Sequence, residues 1–146
     1  MVLGVDVGGT KVAVAAVEGV TATRTREHPT VTVSADALLD GVEHVVRDVI
    51  ADAGQPDAIG VGVPSQIEFA TGTVETSVNI PLTGVPLREE LGRRFGVPVY
   101  VDNDANCAAL AEAHMVGVSH LVMLTLGTGV GAVSYTHLTL PTNREV

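Results

Sequence analysis

Three short stretches of this chain carry residue types whose spacing points to chemistry. The first is Asp6-Val7-Gly8-Gly9-Thr10-Lys11, set between two apolar runs, Met1-Val2-Leu3-Gly4-Val5 and Val12-Ala13-Val14-Ala15-Ala16-Val17. Such flanks read as the strands of a hairpin, with the glycine pair as its turn. Adjacent glycines can take positive φ and bare their N–H groups, a geometry that cradles phosphate oxygens. Asp6 falls where a strand ends, placed to hold Mg²⁺ directly or through water. Thr10 and Lys11 add a hydroxyl and a cation beside the same oxygens. An ordinary hairpin turn is the competing reading; the ordered set of Asp, Gly-Gly, Thr and Lys favours phosphate binding.

The second stretch is Asp102-Asn103-Asp104, which ends one strand and opens a helix. A helix N-terminus favours a carboxylate, and a positioned carboxylate can accept a hydroxyl proton as that hydroxyl attacks phosphorus. Asn103 offers a donor and an acceptor to a polyol. One of the three residues is also expected to cap the helix. The third stretch, Gly127-Thr128-Gly129-Val130-Gly131, follows an apolar strand and suits another phosphate group. With Ala132 it also fits Gly-x-Gly-x-x-Ala, but a dinucleotide fingerprint needs a following helix and an acid about twenty residues on.

These stretches need a scaffold that brings strand ends together. Behind the hairpin, residues 21–28 read as a third, exposed strand ending at Pro29. Ser34 is placed to cap a helix with Asp36 in its first turn; Leu38, Val42, Val45 and Val49 recur at helical spacing, and Gly54 closes it. His44 lies within that pattern and reads as a structural or surface histidine. Residues 57–64 form a buried strand whose glycines imply close approach, and residues 65–79 a hairpin-like excursion around Thr71-Gly72. A short helix over residues 87–96, a strand from Val97 to Val101 and a helix from Ala105 to Val116 follow. The resulting order, βββαβαβα, is an α/β fold with an antiparallel meander feeding right-handed βαβ units into a mixed sheet. Ligands of such sheets gather at the carboxyl ends of strands.

The bulk numbers agree. A chain of 146 residues can bury a core without disulfides or metal, and its 46% apolar content with 16 glycines and no Trp fits a compact α/β protein. A net charge of −9 argues against nucleic acid or an anionic membrane surface as partner. One cysteine, Cys107, excludes an internal disulfide, and no apolar run approaches the ~20 residues of a membrane span. The N-terminus lacks the basic region of a signal peptide, so a cytoplasmic protein is expected.

Together, residues 6–11, residues 61–81, the run Val101-Asp102-Asn103-Asp104-Ala105-Asn106 with Ala108-Ala109-Leu110-Ala111-Glu112, and residues 124–131 resemble the ROK sugar kinases. These are repressors, open reading frames and kinases of the actin–hexokinase superfamily, and the chain is most similar to their actinobacterial glucokinase branch. The resemblance implies two ribonuclease-H-like lobes and ATP-dependent phosphorylation of a hexose hydroxyl, with glucose converted to glucose 6-phosphate. It implies that Asp104 is the base, that Asn103, Asp104 and Asn79 contact sugar, and that residues 6–11 and Gly127, Thr128 and Gly129 flank the phosphates of ATP, with Asp6 toward Mg²⁺. The full-length parent is implied to be a homo-oligomer.

The chain departs from that pattern in three places. Pro64-Ser65-Gln66 stands where the family commonly has Pro-Gly-Pro, so a side chain replaces a glycine near the sugar. The family's Glu-x-Gly-His segment and its zinc site are absent from these 146 residues. Residues 133–146 resemble a translated transposase-type sequencing adapter and are expected to be foreign, so Tyr135 and His137 are not assigned to a site. The expected organisation is a first lobe over residues 1–117, the start of a truncated second lobe over 118–132, and that tail. The chain alone is expected to be inactive. The competing functions are the core of a sugar-sensing ROK regulator and a non-catalytic nucleotide-binding module.

Overall fold

The computed structural model describes residues 1–126 and 130–136. The chain runs β1 (Val2–Val7), β2 (Lys11–Glu18), β3 (Thr21–Pro29), α1 (Ala35–Ala53), β4 (Ala58–Val63), β5 (Ser65–Glu68), β6 (Thr73–Ser77), α2 (Leu87–Phe95), β7 (Val99–Asn103), α3 (Asp104–Val116), β8 (His120–Leu126) and β9 (Val130–Thr136). It divides into two compact units, one ending at Asn103 and the other beginning at Asp104.

The first unit is built on a five-stranded sheet in the order β3-β2-β1-β4-β7. The β1–β2 and β2–β3 pairs are antiparallel, whereas β4 lies parallel to both β1 and β7. This is the expected mixed sheet. Alternation decides which face is buried: Leu3, Val5 and Val7 of β1, and Val12, Val14 and Ala16 of β2, point into the core. Onto them α1 packs Leu38, Leu39, Val42, Val45, Val46 and Val49, each burial being worth about 1.5–3 kcal/mol. The caps fall where the residue types place them: Ser34 accepts from the Ala37 amide at 3.1 Å, and the Gly54 amide reaches the Ile50 carbonyl at 2.8 Å.

Helix α2 joins the same layer through Leu87, Leu91 and Phe95. Its Arg94 is bonded at 2.7 Å to both Asp40 and Glu43 of α1. Hydrogen bonds from Arg47 and Arg94 outweigh desolvation and hold the Glu43 carboxyl below its usual range.

The excursion expected after β4 is the separate β5–β6 ribbon. Its turn contains Gly72 at φ +72°, where an added Cβ would lie 2.5 Å from Cβ of Arg88. Arg88 fills that space and donates to the Phe69 and Ala70 carbonyls at 2.7 and 2.8 Å. Close approach at Gly60 of β4 is not borne out among the described residues: a Cβ there would meet only the Leu3 carbonyl, at 4.0 Å.

In the second unit, β8 pairs antiparallel with β9 from His120↔Thr136 to Leu126↔Val130, and α3 packs on both strands. The strand β8 therefore has a partner, and that partner includes residues 133–136, the beginning of the stretch read as foreign.

Candidate functional site

The glycine turn joins β1 to β2, the central hairpin of the sheet, and the Gly8 amide closes it onto the Lys11 carbonyl at 2.9 Å. Neither Gly8 nor Gly9 has positive φ, so the expected reason for the pair is corrected. Space accounts for glycine at the first of the two positions and leaves ordinary contact distance at the second. A Cβ on Gly8 would stand 3.0 Å from the Lys11 carbonyl oxygen, and one on Gly9 would stand 3.6 Å from Cβ of Asn79.

Thr30, just beyond β3, holds the turn from outside. Its hydroxyl donates to the Gly8 carbonyl at 2.7 Å, and its amide donates to the Thr10 carbonyl at 2.9 Å. Three carbonyls of the turn are thus occupied, while the amides of Gly9 and Thr10 find no acceptor among the described residues. Two adjacent amides without an acceptor at an exposed turn are donors available to an anion.

Asp6 is exposed on β1, with Ala13 and Gly62 as its neighbours across the sheet. The side chains beside it are therefore small. Lys11 is paired instead with Glu27 of β3 at 2.7 Å, both side chains being more than half exposed. Such a pair is worth at most about 1 kcal/mol and exchanges readily for another anion.

Asn79 follows β6 and lies beside the turn, its Cβ 3.6 Å from where a Cβ on Gly9 would stand. It lines an open depression of about 600 Å³ with Thr32, Ser77, Val78, Ile80, Pro81 and Thr83. The mouth is polar, and three of these residues carry hydroxyls. Thr83 fixes the bend, accepting from the Ser77 amide at 3.0 Å and donating to the Ser77 carbonyl at 3.3 Å.

Ser65, where the family pattern has glycine, is buried, and its hydroxyl donates to the Ser77 hydroxyl at 2.9 Å. The added side chain is thus taken up within the β5–β6 ribbon. The Ser65 carbonyl accepts from Nδ2 of Asn103 at 3.2 Å, tying the end of β7 to the start of β5.

Asn103 closes the first unit, and its amide donates to the Asp102 carboxylate at 2.7 Å. Asp104 is the next residue and the first of α3, where its carboxylate accepts from the Ala105 amide at 2.7 Å. A partly buried carboxylate thus stands in the first turn of α3, bonded to the amide that follows it. Gly127, Thr128 and Gly129 lie outside the described residues.

The first unit accordingly brings together Asp6, the glycine turn and Asn79, with Asn103 anchored through Ser65. Thr30 and Ser77, which steady this arrangement, escape a reading of spacing. Their roles depend on pairing across the sheet, and only the position of Thr30 directly after a strand-ending proline hints at its part.

Comparison with known proteins agrees with this architecture. The sequence model of the ROK family matches residues 2–136. The chain is 38% identical over 136 residues to an N-acetyl-D-glucosamine kinase of Escherichia coli O127:H6, covering 90% of this chain and 45% of that protein. It is 35% identical over 156 aligned positions to a glucokinase of Thermotoga maritima, covering 98% and 47%. A ROK family glucokinase from Streptomyces griseus, solved with glucose and AMPPNP, superposes with a TM-score of 0.87 at 30% identity, over 99% of this chain and 47% of that one. The chain thus spans about half the length of the proteins it matches. With the family pattern running from β1 to the end of β9, and with the fold shared, the chain belongs to the ROK family.

Proposed function

We propose that this chain carries the sugar-binding and first phosphate-binding parts of an ATP-dependent hexose kinase, with glucose as the leading substrate. The observation that carries this reading is the nearness of Asn79 to Gly9, its Cβ lying 3.6 Å from where a side chain on Gly9 would begin: the expected phosphate turn and an expected sugar contact are neighbours within one compact unit. The sugar kinases among its relatives support the same reaction class.

The donor set suits a nucleotide phosphate. The free amides of Gly9 and Thr10 with the Thr10 hydroxyl would hold phosphate oxygens, and Lys11 would leave Glu27 for them. Asp6, an oxygen ligand at the strand end, suits Mg²⁺, which when bound would offset charge on the transferring phosphoryl group. Asn79 and Asn103 would orient the sugar. Asp104 would take the proton of the attacking hydroxyl as the new O–P bond forms and the bond to the ADP oxygen breaks. Gly127, Thr128 and Gly129 would complete the phosphate contacts. Residues 1–117 would constitute the first lobe, residues 118–132 the opening of the second, and the stretch to residue 146 a foreign tail that begins within β9.

The test is a protein extended to the length of its relatives, assayed with glucose, N-acetylglucosamine, mannose and other hexoses against ATP and polyphosphate. Mg²⁺-dependent phosphorylation with glucose preferred is the expected result. An extended, folded protein that phosphorylates no hexose refutes the reading, and a preference for N-acetylglucosamine corrects the substrate.

A further inference from the structure

Away from the glycine turn, the fold assembles a cluster that the sequence keeps apart. His28 lies on β3, whereas His44 and Asp48 lie four residues apart on α1. The histidine rings meet edge to face with centroids 5.2 Å apart, and Nε2 of His44 lies 3.7 Å from the Asp48 carboxylate. One ligand atom from each of the three lies within 4.8 Å of the others.

The neighbouring charges leave this triad to itself. Further along α1, Asp52 is engaged by Arg26 at 3.2 Å and Arg24 at 3.7 Å, both from β3. Arg47 is committed to Glu43. Among the described residues Asp48 meets no lysine or arginine within ion-pair distance, and His44 is its recorded partner.

We infer that His28, His44 and Asp48 form a site for a divalent transition-metal ion of the zinc class, which staples β3 to α1. Two imidazoles and one carboxylate are a donor set such ions accept, with water completing a tetrahedron. Bonds of about 2.0–2.1 Å place tetrahedral donors roughly 3.4 Å apart. The side chains of His44 and Asp48 are about half exposed, at 64% and 46%, so rotamer adjustment can close the remaining gap. The i,i+4 spacing supplies two ligands from one helix face, and His28 supplies the third from the strand packed beside it. His28 is also two residues before Thr30, which holds the Gly8 and Thr10 carbonyls. A bound ion would therefore brace the strand end that secures the glycine turn.

The experiment uses the tag-free 146-residue chain, stripped with a chelator and titrated with Zn²⁺ by calorimetry and with Co²⁺ by visible absorption. One saturable equivalent is expected, with a d–d spectrum of low-coordinate cobalt and a raised melting temperature. His28→Ala and His44→Ala should each weaken binding by about tenfold or more. His114→Ala and Cys107→Ser should leave it unchanged. Circular dichroism of each stripped variant confirms that the fold is intact, and the Zn²⁺-induced shift of the urea midpoint serves as a second measure. No saturable equivalent, or one retained in both histidine variants, overturns the assignment.

Discussion

At the scale of single residues, the two glycines of the turn are not equivalent. Gly8→Ala pushes a methyl against the Lys11 carbonyl in a turn already pinned by Thr30, and should destabilise the chain by about 1–3 kcal/mol. Gly9→Ala meets Asn79 at ordinary contact distance and should shift stability by no more than about 0.5 kcal/mol. Urea denaturation of the two variants measures the contrast, and equal losses would contradict the steric account. Asp104 poses a different question, since its carboxylate already accepts the Ala105 amide. In a protein extended to the length of its relatives, Asp104→Asn keeps an acceptor for that amide but cannot take a proton. Its kcat should fall by about 10²–10⁴-fold, with glucose affinity changed much less. Turnover within a few-fold of the parent would leave Asp104 with its bond to the Ala105 amide alone.

At the scale of elements, α1 and α2 are joined by a charged link as well as by aliphatic packing. The Glu43 side chain is 25% exposed and Arg94 15%, so water screens this pair less than the surface pairs elsewhere on the chain. Glu43→Gln should lower stability at neutral pH by about 1 kcal/mol. The sign of the pH dependence follows from the depressed carboxyl. The advantage of the parent is fully present above the carboxylate's unfolded-state value and disappears as pH falls through its lower folded-state value. Parallel denaturation series from pH 7 to about pH 3.5 should therefore show the two proteins converging as acid is added. A gap that stays constant would mean that shape, and not charge, is what Glu43 contributes.

At the scale of the whole molecule, the chain should show no measurable sugar-kinase activity as it stands. Phosphoryl transfer needs sugar and γ-phosphate held in line with water excluded. The first unit supplies the glycine turn and the Asn79 depression, and the second offers α3 on a two-stranded ribbon. A coupled assay on the purified chain checks this, and turnover comparable to an intact kinase would overturn it. The first unit has its own sheet, helices and core, so weak sugar binding that Asn79→Ala abolishes is expected. Glucose titration followed by NMR would detect it.

Much of this was written in local patterns. The period of apolar residues in α1, its Ser34 and Gly54 caps, the strand–turn–strand of residues 1–18 and the order of elements all follow from interactions between near neighbours, which a linear reading can see. What required the tertiary structure was every contact between residues remote in sequence. The placing of Asn79 beside Gly9, the Ser65–Ser77 hydroxyl pair that accommodates a departure from the family pattern, and the hold of Thr30 on the turn depend on register and crossover. His44 shows the difference most plainly. Along the chain it is one polar residue on a helix face; only the docking of α1 against β3 sets His28 beside it, because a metal site is defined by distances in space and sequence spacing constrains those distances only within one element.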